Sequence, residues 1–144
     1  MSARPFRSVL YIPGSKERAL DKARGLAADA IIFDLEDAVA PEEKVAARAV
    51  LAEALTAGGY GARARIVRVN GLDTAWGAED LAVFGAHPAV EALLIPKVNT
   101  AADLAAVAAK APGKPLWAMM ETALGMLNEA EIAAYAGLQG MVIG

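Results

Sequence analysis

Four apolar runs of this chain end on residue types suited to binding or proton transfer. Ile31-Ile-Phe-Asp-Leu-Glu-Asp37 closes on three carboxylates, and Ile66-Val-Arg-Val-Asn70 carries an arginine near its end. Leu93-Leu-Ile-Pro-Lys97 ends on a lysine and Leu116-Trp-Ala-Met-Met-Glu121 on a glutamate. Packed carboxylates suit a divalent cation, directly or through its waters, or a guanidinium. Glu36 and Asp37 are the candidates for chemistry, because Asp34 lies nearer the buried end of its run. Arg68 inside a strand is costly to desolvate unless it faces an anion. Its planar fork matches a small carboxylate, and an ion pair with the acidic cluster is the alternative. Lys97 fits a Schiff-base nucleophile, an anion contact or a structural ion pair. Glu121 suits a hard cation such as magnesium, or a helix start favoured by the dipole. The sole histidine, His87, falls between a helix and a strand and reads as structural.

Strands alternating with helices must position these groups. Val9–Ile12, Ala30–Phe33, Arg65–Val69, Ala92–Ile95, Leu116–Met120 and 140–144 read as strands, each apolar or β-branched. The intervening segments read as helices. The first is capped by Ser15 and runs to Leu26, the second starts at Pro41, and the third covers Ala78–Phe84. Thr100 caps the fourth, and the last runs on to Tyr135. Strict alternation with short joins implies a parallel sheet with helices outside it. The first turn, Pro13-Gly14-Ser15, lacks the glycine pattern of a dinucleotide site. Chemistry at nearly every strand end fits an α/β fold of the (β/α)8 TIM-barrel type, whose strand–helix loops surround one mouth. A barrel needs eight strands. The expectation is one domain over 1–144 holding about the first six, with the C-terminal part missing.

The chain contains no cysteine, so disulfides, thiolate catalysis and zinc–thiolate sites are excluded. A net charge of −3 gives no basic field for nucleic acid or an anionic membrane surface. The start, Met-Ser-Ala-Arg-Pro-Phe-Arg-Ser, lacks the apolar stretch of a secretion signal, and no apolar run nears the ~18 residues of a membrane span. A cytoplasmic location follows as the expectation.

Taken in order, Arg7-Ser-Val-Leu-Tyr-Ile-Pro-Gly14, Asp34-Leu-Glu-Asp-Ala-Val39 with Pro41, Lys44 and Arg48, Val67-Arg-Val-Asn70, Pro96-Lys97 and Glu121-Thr-Ala123 resemble the citrate lyase beta-subunit and malyl-CoA lyase family. That resemblance implies a magnesium-dependent carbon–carbon lyase acting on a CoA thioester and a small oxo acid, such as malyl-CoA, citramalyl-CoA or a citryl thioester. It also implies a homo-oligomer, a trimer or hexamer. Arg68 resembles the family arginine that holds the oxo-acid carboxylate, and Glu121 a magnesium ligand. Glu36 and Asp37 resemble the acids that bind metal waters and orient the arginine. Arg7 and Lys16 would meet the CoA phosphates. The second metal ligand of the family, an aspartate after strand six, would lie beyond Gly144, so the 144-residue piece alone is expected to be inactive. The alternatives are a barrel aldolase on a free hydroxy-oxo acid, a malyl-CoA thioesterase, and a non-catalytic assembly module.

Overall fold

The computed structural model describes residues 4–144. Six strands, β1 (Val9–Pro13), β2 (Ala30–Asp34), β3 (Ala64–Arg68), β4 (Ala92–Ile95), β5 (Leu116–Met120) and β6 (Leu138–Ile143), form one sheet in the order β1-β2-β3-β4-β5-β6. Every pairing is parallel. A doubly wound sheet reverses direction at a switch point, whereas a barrel adds each strand beside the last. The unbroken sequential order is therefore the winding of a (β/α)8 barrel through its first six strands.

The helices are α1 (Glu17–Ala23), α2 (Lys44–Ala57), α3 (Gly77–Phe84), α4 (Ala101–Lys110), α5 (Ala123–Leu127) and α6 (Glu129–Ala133). Their apolar stripes cover one face of the sheet. Leu20, Leu51, Leu55, Leu81, Phe84, Leu104 and Ile132 join Ile31, Phe33, Val67, Leu93, Leu116 and Ala118 in the larger core. The alternate strand residues, Ala30, Ile32, Ala64, Ile66, Ala92, Leu94, Trp117 and Met119, form a second cluster on the inner face. Two covered faces explain why β2 and β5 are buried throughout, with apolar residues on both faces up to Asp34, rather than alternating. No helix of the described residues is long and apolar enough to cross a membrane.

Three expectations about elements are corrected. Ser15 does not cap the first helix: the N-cap is Lys16, without a side-chain cap bond, and the Ser15 hydroxyl is buried with no partner. Pro41 opens a single 3-10 turn, Pro41–Glu43, before α2 begins. The long helix after β5 is two short ones, broken at Asn128, whose side-chain amide donates to the Asn99 carbonyl at 2.9 Å. That loop contact competes with helix continuation, as asparagine often does.

Candidate active site

Period-two alternation decides which side chains meet. The inner-face series run Val9 to Tyr11, Ile32 to Asp34, Ile66 to Arg68 and Met119 to Glu121, each one step beyond the inner apolar cluster towards the C-terminal ends of the strands. Register agrees, since Pro13 pairs with Asp34 and Asp34 with Arg68. Across β5, Gly140 packs on Trp117 and Gly144 on Glu121, so the absence of side chains there leaves room for both. Tyr11, Asp34, Arg68 and Glu121 thus converge on one mouth, the face where such barrels place their chemistry.

Arg68 is held from one side. Its Nε and Nη2 donate to Asp34 Oδ1 and Oδ2, both at 2.7 Å, a fork-to-fork pair in which Asp34 is 1% exposed and Arg68 7%. The Asp34 oxygens also accept from the amides of Glu36 and Ala38, each at 2.9 Å, folding the acidic turn around the carboxylate. Burial disfavours the charged form of each partner, but mutual hydrogen bonding and charge outweigh it. Asp34 is held below the ordinary carboxylate value and Arg68 is pushed up. The Tyr11 ring lies 5.0 Å from the guanidinium carbon and covers one side of it.

Nη1 of Arg68 reaches Glu36 Oε2 at 3.3 Å, with Asp37 at 4.0 Å. The other oxygen of Glu36 accepts from Nζ of Lys97. The Lys97 amide in turn donates to Glu121 Oε1 at 2.8 Å. The expected residues Glu36, Asp37, Arg68 and Glu121 are therefore brought together, with Lys97 between them. The Schiff-base alternative for Lys97 finds no support in this setting. Its ammonium is engaged by Glu36, and that hydrogen bond raises its pKa, the reverse of what a nucleophilic amine needs.

Behind the mouth the backbone is clamped. The buried Lys44 donates to the carbonyls of Leu35 and Glu36 at 2.9 and 2.7 Å, and the Asn70 amide donates to the Leu35 carbonyl at 3.0 Å. Asp80 fixes Asn70 through its backbone and side-chain N–H groups at 2.9 and 2.7 Å, and takes Arg48 at 2.8 Å. A cleft of about 690 Å³ opens beside the acidic turn, lined by Asp37, Asn70, Trp76, Lys97, Asn99 and Thr122 among others.

Two positions stand apart. Arg7 precedes β1 and pairs with Asp29, ahead of β2, at 3.0 Å. Both lie on the rim at the N-terminal ends of the strands, opposite the mouth, and Arg7 holds the Asp29 carboxyl down at about 2. Arg7, which the family resemblance placed at the CoA phosphates, thus lies a strand's length from the mouth. Lys16 follows β1 on the correct rim, exposed and paired with Glu43 at 3.0 Å. His87 caps a loop, its Nδ1 accepting from the Ala89 amide at 3.1 Å.

Sequence reasoning passed over Tyr11 and discounted Asp34. Both share the parity of inner-face neighbours, Val9 and Ile32, and that alternation was the available signal.

A cation would find a partial ligand set here. Glu121 offers a hard anionic oxygen, because Oε1 is engaged by Lys97 and Oε2 has no donor among the described residues. No group of three or more His, Asp or Glu side chains is arranged for a metal among the described residues. One inward carboxylate is compatible with magnesium, which keeps several waters and takes one or two carboxylates plus substrate oxygens.

Residues 7–144 match the HpcH/HpaI aldolase/citrate lyase family. The chain belongs to that family. A (3S)-malyl-CoA thioesterase of Cereibacter sphaeroides is 69% identical over 142 residues, covering 99% of this chain and 50% of the relative. An L-malyl-CoA/beta-methylmalyl-CoA lyase of the same organism is 39% identical over 155 residues, covering 99% of this chain and 49% of the relative. The chain spans about half the length of the curated relatives it matches. Among solved structures, protein CitE from Mycobacterium tuberculosis in complex with magnesium, acetoacetate and coenzyme A superposes with a TM-score of 0.79 at 32% identity, covering 99% of this chain and 49% of that one.

These similarities correct the expectation of a carbon–carbon lyase. The thioesterase relative is far more similar than the lyase relative, 69% against 39%. The motifs that suggested a lyase, Arg68 and Glu121 above all, suit binding of a small acid. They say nothing about whether a C–C or a C–S bond breaks.

Proposed function

We propose that the protein carrying this site hydrolyses the thioester of a small hydroxy-acid CoA ester, (3S)-malyl-CoA or a close analogue, with magnesium as cofactor. The observation that carries the reading is the 69% identity to a (3S)-malyl-CoA thioesterase across 99% of the chain. Arg68 and Glu121, both at the mouth, fit its small-acid half.

Arg68 binds the free carboxylate of the acid. Asp34 occupies its Nε/Nη2 edge and Glu36 lies 3.3 Å from Nη1, so the Nη1/Nη2 edge is the one left for the substrate. Held by two short bonds and an aromatic lid, that edge is oriented in advance, which lowers the cost of binding. Glu121 would hold a magnesium ion, which when bound would supply polarisation of a substrate oxygen and offset negative charge. Glu36 is committed to Arg68 and Lys97, so its role is orientation. Asp37 is more exposed, with its nearest cations at 4.0 Å. It takes a proton from the attacking water. The water oxygen adds to the thioester carbonyl carbon, the C–S bond breaks, and the proton ends on the departing sulfur to give free acid and CoA thiol. Lys16, on the same rim, offers a cation to the CoA phosphates.

The test is product analysis. Full-length protein, magnesium and malyl-CoA should give malate and free CoA in equal amounts. Acetyl-CoA and glyoxylate, the products of carbon–carbon cleavage, would overturn the reading.

A further inference from the structure

Lys97 is the only non-glycine residue among those described with a positive φ, 51°. It follows Pro96 in the turn after β4, a pattern that normally places glycine at this step. A lysine there carries a backbone cost that a loop without function would have shed, since strained positions persist where the surroundings need them. Two contacts depend on it. The turned backbone aims the Lys97 N–H at Glu121 Oε1 at 2.8 Å. The side chain reaches back to Glu36, whose other oxygen lies 3.3 Å from Arg68 Nη1, with Asp37 4.0 Å from the ammonium.

We propose that Lys97 is a positioning residue that joins the two halves of the site, its backbone N–H orienting Glu121 and its ammonium holding Glu36 against Arg68. The inference rests on the reading above in taking Arg68 as the acid-binding group and Glu121 as the cation ligand, and it does not depend on which bond the protein breaks. The two contacts come from different groups of one residue and are therefore separable. Lys97→Gly keeps the N–H, suits φ 51° and deletes the ammonium. Lys97→Met deletes the ammonium and keeps the strain, while Lys97→Arg keeps the charge.

The experiment uses the full-length protein and two calorimetric titrations, magnesium chloride alone and then malate into the magnesium-loaded protein. Lys97→Gly and Lys97→Met should each weaken malate binding about tenfold, the scale of one lost charge-assisted contact acting through Glu36, with magnesium affinity within about threefold of wild type. Lys97→Arg should restore most of the malate affinity, a rescue that a merely structural role would not give. Malate affinity unchanged in both Lys97→Gly and Lys97→Met would overturn the proposal. So would a loss of magnesium binding in Lys97→Gly as complete as in Glu121→Gln, since the amide alone is assigned to Glu121. A wild type that binds malate in this Lys97-dependent way yet hydrolyses no malyl-CoA would sink the functional reading and leave the proposal standing.

Discussion

Arg68 and Asp34 face each other across the β2–β3 register with two parallel hydrogen bonds of 2.7 Å, and both are buried. Breaking such a pair strands a charge in the interior, which costs about 3–5 kcal/mol. Asp34→Ala should therefore lower the melting temperature by roughly 10 °C for a domain of this size. It should also weaken malate binding, because no other described residue holds the Nε/Nη2 edge. Thermal denaturation and calorimetry of the same variant check both; an unchanged melting temperature would mean that the pair contributes no net stability.

The same pair predicts an acid-sensitive fold. Asp34 has a folded-state pKa below its ordinary 3.8, so its contribution is fully present above that value. It is lost as pH falls below 3.8 and through the lower folded value. Denaturant unfolding from pH 6 to pH 2 should show stability falling below pH 4 in the wild type, and a flatter profile in Asp34→Asn.

Gly77 opens α3 with its Cα against the Asn70–Gly71 backbone, and an added Cβ would overlap the Gly71 carbonyl oxygen. That backbone is the one Asp80 and Asn70 use to grip the β2 turn. Gly77→Ala should cost about 1–3 kcal/mol by overpacking. It should raise the KM for malyl-CoA as well, because the loop must shift. A variant with wild-type stability would contradict the close approach.

The two basic residues first considered for CoA should separate. Arg7→Ala, on the far rim, should leave the KM for malyl-CoA unchanged and return the Asp29 carboxyl from about 2 towards 3.8 in an NMR titration. Lys16→Ala should raise that KM a few-fold, the modest effect of losing one exposed cation near a phosphate. The reverse pattern would place the CoA on the other face.

Much of this was legible in the chain because parallel barrels make strand ends equivalent. Four apolar runs ending on Asp34, Arg68, Lys97 and Glu121 announced a shared mouth without any contact being known. The place of Arg68 inside a strand, near its end, also called for an anionic partner. What escaped was mostly rotation and partnership. Nothing local told that Asp34, rather than Glu36, takes the arginine fork, because that depends on the pairing of β2 with β3. The Arg7–Asp29 contact was hidden for the same reason, since it joins the residues ahead of two strands. The bond broken was illegible for a different reason: binding a small acid asks for the same arginine and carboxylate whichever bond is cleaved.

If Arg68 and Glu121 serve one small acid from two sides, a crystal structure of the full-length protein with magnesium and malate will show both in contact with it, Glu121 through the cation. The expected result is magnesium on the free oxygen of Glu121, with the malate carboxylate on the Nη1/Nη2 edge of Arg68 and a malate oxygen on the cation. Malate bound away from Arg68, or magnesium held with no contact to Glu121, would contradict it.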